Sequence, residues 1–208
     1  AQFDLPSDTT GLTFDGEYWW MIKQPEETIY CFDYGGDYVT DFPAPAPNPM
    51  GLAWDGEYLW ISCLIDVRDI DVTVHQMSLD GSIGPYGSFQ GYGAYGLTVL
   101  EEDIVTMDYV GGTYIDSKEG DFKRFVQLNF ASGNKSYCLT FDGGAFWACV
   151  YPPASDWYLL ADFDPNTGDW LGHDINVYNI RKDGLTSGIW SYTSTKVKSF
   201  GKIKAFFE

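Results

Sequence analysis

Gly11-Leu12-Thr13-Phe14-Asp15-Gly16-Glu17-Tyr18-Trp19-Trp20 recurs as Gly51-Leu52-Ala53-Trp54-Asp55-Gly56-Glu57-Tyr58-Leu59-Trp60 and, less closely, as Cys138-Leu139-Thr140-Phe141-Asp142-Gly143-Gly144-Ala145-Phe146-Trp147. Two degenerate copies start at Gly96-Leu97-Thr98 and Gly184-Leu185-Thr186. The starts lie 40, 45, 42 and 46 residues apart. That period, filled with short strand-like runs, predicts an all-β array of the β-propeller type, because one such unit cannot bury its own apolar faces.

Each unit reads as four short antiparallel strands. In the first, Gly11–Phe14 and Tyr18–Lys23 flank an Asp-Gly turn, and Thr28–Asp33 and Tyr38–Phe42 flank Tyr34-Gly35-Gly36. The third unit is assigned Gly96–Leu100, Ile104–Tyr109, Phe122–Phe130 and Lys135–Tyr137. The whole chain, residues 1–208, is expected to form one domain of five blades. Their bounds fall at about 11–50, 51–95, 96–137, 138–183, and 184–208 plus 1–10. Ala1–Pro6 parallels Thr40–Pro45, which leads into the next Gly-Leu start, so the N- and C-terminal segments are expected to meet and close the ring.

The Gly-Leu-x-[Phe/Trp]-Asp-Gly-x-[Tyr/Leu]-x-Trp phrase, followed by Ile29-Tyr30-Cys31-Phe32-Asp33 and a Gly turn, resembles the blade repeat of glutamine-cyclotransferase-like and quinoprotein-like propellers. The resemblance covers nearly the whole chain and implies the fold. Propellers of this kind include enzymes, scaffolds and lectins, so it does not select a function.

The net charge of −18 argues against a nucleic-acid partner, which needs Lys and Arg against phosphate. The acidity is uneven: residues 196–208 carry Lys196, Lys198, Lys202 and Lys204 against Glu208, a net of +3, leaving −21 on the rest. No apolar run is long enough to suggest membrane insertion. The opening Ala1 fits removal of either a signal peptide or a Met, and an extracellular location is expected. Of the four cysteines, Cys138 and Cys149 face each other if Gly143-Gly144 form the tip of a hairpin, which makes them a candidate disulfide. Whether Cys31 and Cys63 meet is open.

Asp15, Asp55 and Asp142 sit at Asp-Gly turns and are read as turn formers. Asp162–Asp169 loosely follows a calcium loop but reads better as a hairpin cap. Asp66, Asp69 and Asp71 read as a solvated loop. No catalytic residue, metal site or cofactor is assigned, since no nucleophile-elbow, metal-ligand or redox spacing occurs. Candidate ligand contacts are Tyr92, Tyr95, Trp157, His173 and Arg181; candidate self-association residues are Lys196, Lys198, Lys202 and Lys204. The leading expectation is a non-catalytic structural or interaction propeller that assembles into a homo-oligomer or head-to-tail filament. The alternatives are a lectin-like glycan binder, and a hydrolase or lyase with its site at the central opening.

Overall fold

The computed structural model describes residues 9–65, 71–131, 133–151, 158–177 and 189–190. These residues form four β-sheets, each a four-stranded antiparallel meander. The first holds β1 (Thr9–Phe14), β2 (Trp19–Lys23), β3 (Thr28–Phe32) and β4 (Tyr38–Pro43). The second holds β5 (Pro49–Trp54), β6 (Leu59–Leu64), β7 (Asp71–Met77) and β8 (Ile83–Tyr92). The third holds β9 (Gly96–Leu100), β10 (Asp103–Met107), β11 (Gly112–Ser117) and β12 (Phe122–Gln127). The fourth holds β13 (Lys135–Phe141), β14 (Phe146–Tyr151), β15 (Tyr158–Phe163) and β16 (Trp170–Val177). A two-residue strand, β17 (Ile189–Trp190), pairs in parallel with β1 through Gly11↔Ile189 and Leu12↔Trp190.

The inner strands β1, β5, β9 and β13 stand side by side in that order, and β17 lies against both β13 and β1. They run in the same direction. Gly96 lies beside Leu139, and two residues further along Phe141 donates its N–H to Thr98 Oγ1 at 3.1 Å. The sheets pack face to face, which makes the chain a β-propeller. Trp20, Ile22 and Ile29 of the first sheet meet Leu52, Leu59 and Ile61 of the second. Trp60, Val72 and Val74 of the second meet Leu97, Val99 and Ile104 of the third. Val105, Met107 and Ile115 of the third meet Leu139, Phe146 and Ala148 of the fourth. Alternation along each strand sends successive side chains to opposite neighbours, so both faces are apolar.

The first three repeats start with Gly because the next inner strand comes too close for a side chain. A Cβ on Gly11 would stand 2.9 Å from the Met50 carbonyl oxygen, one on Gly51 2.7 Å from Leu97 Cβ, and one on Gly96 2.7 Å from Leu139 Cβ.

Three expectations are corrected. Five sheets are expected and four are found among the described residues; apart from Ile189–Trp190, residues 184–208 and 1–8 of the fifth unit lie outside them. Thr9 and Thr10 belong to β1 of the first sheet, and Ile189–Trp190 takes a position beside β1 instead of forming a second strand. In the third unit, Gly112–Ser117 is a strand that the sequence reading passed over, Phe122–Gln127 is the outer strand, and Lys135–Tyr137 opens β13 of the fourth sheet. Asp116 breaks the apolar pattern of β11 and hides the strand, although its side chain is buried.

Candidate functional site

The recurrent aspartates each tie a turn to a tryptophan. Asp15 Oδ1 accepts the N–H groups of Glu17 and Tyr18, both at 2.7 Å, and its Oδ2 accepts the Trp20 indole N–H at 2.7 Å. Asp55 does the same for Glu57, Tyr58 and Trp60, and Asp142 for Gly144, Ala145 and Trp147. The turn reading of these residues is therefore correct, and the five-residue step from Asp to Trp carries the second bond. In the third sheet Leu100 and Val105 take the two places, and the turn shortens to Glu101-Glu102. At the turn between the third and fourth strands, Asp33, Asp80 and Asp164 of the first, second and fourth sheets accept backbone N–H groups in the same way, and Ser117 Oγ does so in the third. The Asp164 bonds make Asp164–Asp169 the hairpin cap expected.

In an antiparallel meander the first and third turns fall at the same end. Because the inner strands are parallel, all these turns gather on one face of the molecule. That face carries Asp15, Glu17, Asp33, Asp37, Asp55, Glu57, Asp80, Glu101, Glu102, Glu119, Asp121, Asp142, Asp164 and Asp169, against Lys118. The described turns and connectors of the opposite face carry Glu26, Glu27 and Asp108. Among the described turns and connectors, the carboxylates are thus concentrated at one end of the propeller axis.

The described candidate ligand residues, Tyr92, Tyr95 and His173, lie on three different segments of the chain. Tyr92 ends β8, exposed, with its ring 5.4 Å from that of Tyr114; Tyr114 in turn meets Phe125 at 5.1 Å. Tyr95 is half-buried and packs edge-on against Tyr109 at 5.9 Å, as a core-lining residue does. His173 lies in β16 of the fourth sheet. Trp157, Arg181, Lys196, Lys198, Lys202 and Lys204 lie outside the described residues.

His173 has a partner that sequence reading missed. Its Nδ1 lies 2.6 Å from Oδ2 of the buried Asp162, and its backbone N–H donates to Asp162 Oδ1 at 3.0 Å. The local cause is a bulge where β15 meets β16. Gln76 holds the matching place opposite Trp60 in the second sheet, and its Oε1 accepts the Tyr86 N–H at 2.9 Å beside another bulge. A polar side chain at this position satisfies an N–H that the bulge frees from the ladder. In the fourth sheet it also anchors an exposed imidazole. Matching Asp162 to Gln76 through the repeat is the signal that could have found the pair.

Asp116 is the other buried acid with an unusual setting. It is 3% exposed, and its Oδ2 has no hydrogen-bond partner. Burial, with the nearby charge of Asp103 adding to it, raises its pKa to about 6. His75, in β7, is half-buried, and burial lowers its pKa.

On the axis is a narrow hollow of about 10 Å³, room for one water at most. Its wall includes Gly11, Gly51, Gly96, Leu52, Leu97 and Leu139, together with Thr10 and Tyr95. Thr10 Oγ1 donates to the Pro49 carbonyl at 3.2 Å. The described wall of the hollow holds no carboxylate. Among the described residues no group of three or more His, Cys, Asp or Glu could hold a metal ion, and no helix is long and apolar enough to cross a membrane.

No protein-family model matches the chain, and no curated protein matches it. The fold is similar to that of the Myxococcus xanthus glutaminyl cyclase, with a TM-score of 0.62 and 19% identity over 79% of this chain and 68% of that one. It is also similar to Kuenenia stuttgartiensis hydrazine synthase, with a TM-score of 0.53 and 12% identity over 85% of this chain and 51% of that one. Such identities speak for a shared propeller fold alone.

Proposed function

We propose that this chain is a non-catalytic, self-associating interaction protein of the extracellular space, whose acidic turn face takes up the Lys-rich end of another copy. The observation that carries the reading is the gathering of acidic turns on one face. The complementary charge lies at Lys196, Lys198, Lys202 and Lys204 of the same sequence. A contact between two different surfaces of one molecule is heterologous, and it builds an open filament when its rotation does not close.

A fifth blade between the fourth and first sheets belongs to this reading. Trp20 and Trp60 pack on the sheet that follows their own, and Trp147 holds the same place in the fourth sheet. Leu59 packs back on the preceding sheet, and Trp19 holds that place in the first. Residues 191–208 and 1–8 supply the chain for such a blade, beginning from β17 at its inner edge.

Sedimentation velocity with electron microscopy across salt concentrations tests the association. Large species or filaments are expected at low ionic strength, dissolving by about 0.5 M salt as screening shortens to a few ångströms. Replacing all four lysines by Glu is expected to leave monomers. A particle that stays monomeric at low salt and high concentration overturns the proposal.

A second reading has its own observation. Tyr92, Tyr114 and Phe125 form a three-ring ladder at the rim where the second and third sheets meet, and Tyr92 and Phe125 are exposed. Aromatic faces of this kind suit stacking against sugars. A glycan array with the Tyr92→Ala variant as control tests it; the absence of any glycan that distinguishes the two proteins removes it.

A further inference from the structure

The repeat places one particular pair of residues opposite each other at the axis in every sheet. The first residue of the repeat on the inner strand faces the residue eleven positions later on the second strand. In the first sheet the pair is Gly11↔Ile22, in the second Gly51↔Ser62, and in the third Gly96↔Met107. In each, the second strand's side chain lies over the glycine: Ile22 Cδ1 at 3.0 Å, Ser62 Oγ at 2.7 Å and Met107 Cε at 3.1 Å from where a Cβ would stand. In the fourth sheet both members of the pair are cysteine, Cys138 and Cys149.

The ladder counted from the Gly143-Gly144 turn holds through Leu139↔Ala148, then bulges before Ser136↔Val150. The bulge sets Tyr137 and Cys138 together opposite Cys149. Both thiols are free in the structure, and the Cys149 backbone N–H donates to Cys138 Sγ at 2.9 Å. Ser136 Oγ lies within hydrogen-bond distance of the carbonyl groups of both residues, at 3.1 and 2.9 Å, and its single proton, donated to one or the other, ties the strands together at the bulge.

We infer that Cys138 and Cys149 form a redox latch, a cross-strand disulfide that a small-molecule disulfide installs and a dithiol removes. Cys149 is half-buried and Cys138 fully buried, so the oxidant meets Cys149 first. The Cys149 thiolate attacks one sulfur of the oxidant and expels a thiolate, leaving a mixed disulfide. The Cys138 thiol then loses its proton to solvent, attacks the Cys149 sulfur and expels the second thiolate. Two protein thiols are oxidised and one external disulfide is reduced to two thiols. Burial and the neighbouring Cys149 push the Cys138 thiol well above its ordinary range, which makes the second step the slow one and speeds it as pH rises. The latch ties β13 to β14 at the inner strand that lies against β17.

Cys31 and Cys63 serve as the internal comparison. They sit in the apolar layer between the first and second sheets, where burial raises their pKa values to about 11 and about 12. The test incubates the full chain with oxidised glutathione at pH 8, alkylates it after denaturation, and maps the peptides by mass spectrometry. The expected result is one cross-link joining Cys138 to Cys149, with Cys31 and Cys63 alkylated. The melting temperature is expected to rise by about 5 °C and to return on addition of dithiothreitol. The Cys138→Ser variant is expected to retain glutathione on Cys149. Four alkylated thiols after incubation, a cross-link between other cysteines, or an unchanged melting temperature in the cross-linked protein would each overturn the latch.

Discussion

Asp55 accepts the ammonium of Lys118 at 3.0 Å across the boundary between the second and third sheets. The same carboxylate closes its own turn and holds the Trp60 indole N–H at 2.9 Å, so one side chain joins turn, core and neighbouring blade. Burial pushes the Asp55 pKa up, but the bonds from Trp60, Tyr58, Lys118 and Glu57 outweigh it and the pKa ends below its ordinary value. Its stabilising effect is therefore full above the unfolded-state value and fades as pH falls through the lower folded-state value. Asp55→Ala is expected to destabilise the fold by about 2–4 kcal/mol, since it strands buried donors, whereas Lys118→Ala is expected to lose about 1 kcal/mol. Urea denaturation of both variants at neutral and acidic pH checks the ranking.

Asp116 has the opposite sign. Its carboxyl binds its proton more tightly in the fold than in the unfolded chain, with a pKa of about 6 against an ordinary 3.8. Stability should then decline as pH rises from about 4 to about 6 and stay reduced above that. Asp116→Asn is expected to abolish this slope and to raise stability at pH 8 by about 1–3 kcal/mol. Melting curves recorded between pH 4 and pH 8 would show it. An identical pH profile in both proteins would refute the assignment.

The glycines divide into two kinds that respond differently to the same substitution. Gly96→Ala puts a methyl 2.7 Å from Leu139 Cβ and 2.9 Å from the Leu139 backbone nitrogen, so neighbouring inner strands must move apart. A loss of about 2–4 kcal/mol is expected. Gly143 has φ of +98° and nothing within 4 Å of a built Cβ, so Gly143→Ala meets backbone strain alone. About 1–2 kcal/mol is expected there. Equilibrium unfolding of the two single variants separates crowding from conformational strain.

Ser62 links consecutive sheets through a fully buried hydroxyl. Its Oγ accepts the Gly51 N–H at 2.9 Å and donates to the Ala94 carbonyl at 3.1 Å, where the chain crosses toward the third sheet. Ser62→Ala leaves both backbone groups buried without this partner, and a loss of about 1–3 kcal/mol is expected. Hydrogen exchange at Gly51 is expected to quicken in the variant.

Local rules carried the sequence reading a long way. Strand, turn and strand follow from alternation and Asp-Gly dipeptides, and the capping bonds of Asp15, Asp55 and Asp142 act on groups within five residues. The reading slipped where tertiary burial overrode composition. Asp116 disguised β11, and the shortened Glu101-Glu102 turn left the third copy degenerate beside the others. Of the candidate ligand contacts, Tyr92 stands at the second sheet's rim, Tyr95 is half-buried against the core between the second and third sheets, and His173 lies on the fourth sheet.

By itself, then, the amino-acid order determined a propeller of repeated four-stranded units, the turn chemistry of its aspartates and the facing of Cys138 with Cys149, because each depends on spacing along a short stretch of chain. Only the tertiary structure decided that the described acidic turns share one face, that Asp162 holds His173, that Lys118 reaches Asp55, and that Gly11, Gly51 and Gly96 meet Leu52, Leu97 and Leu139 around the axis. Those relations depend on the common direction of the inner strands and on how closely separate sheets approach, and neither is set by local spacing.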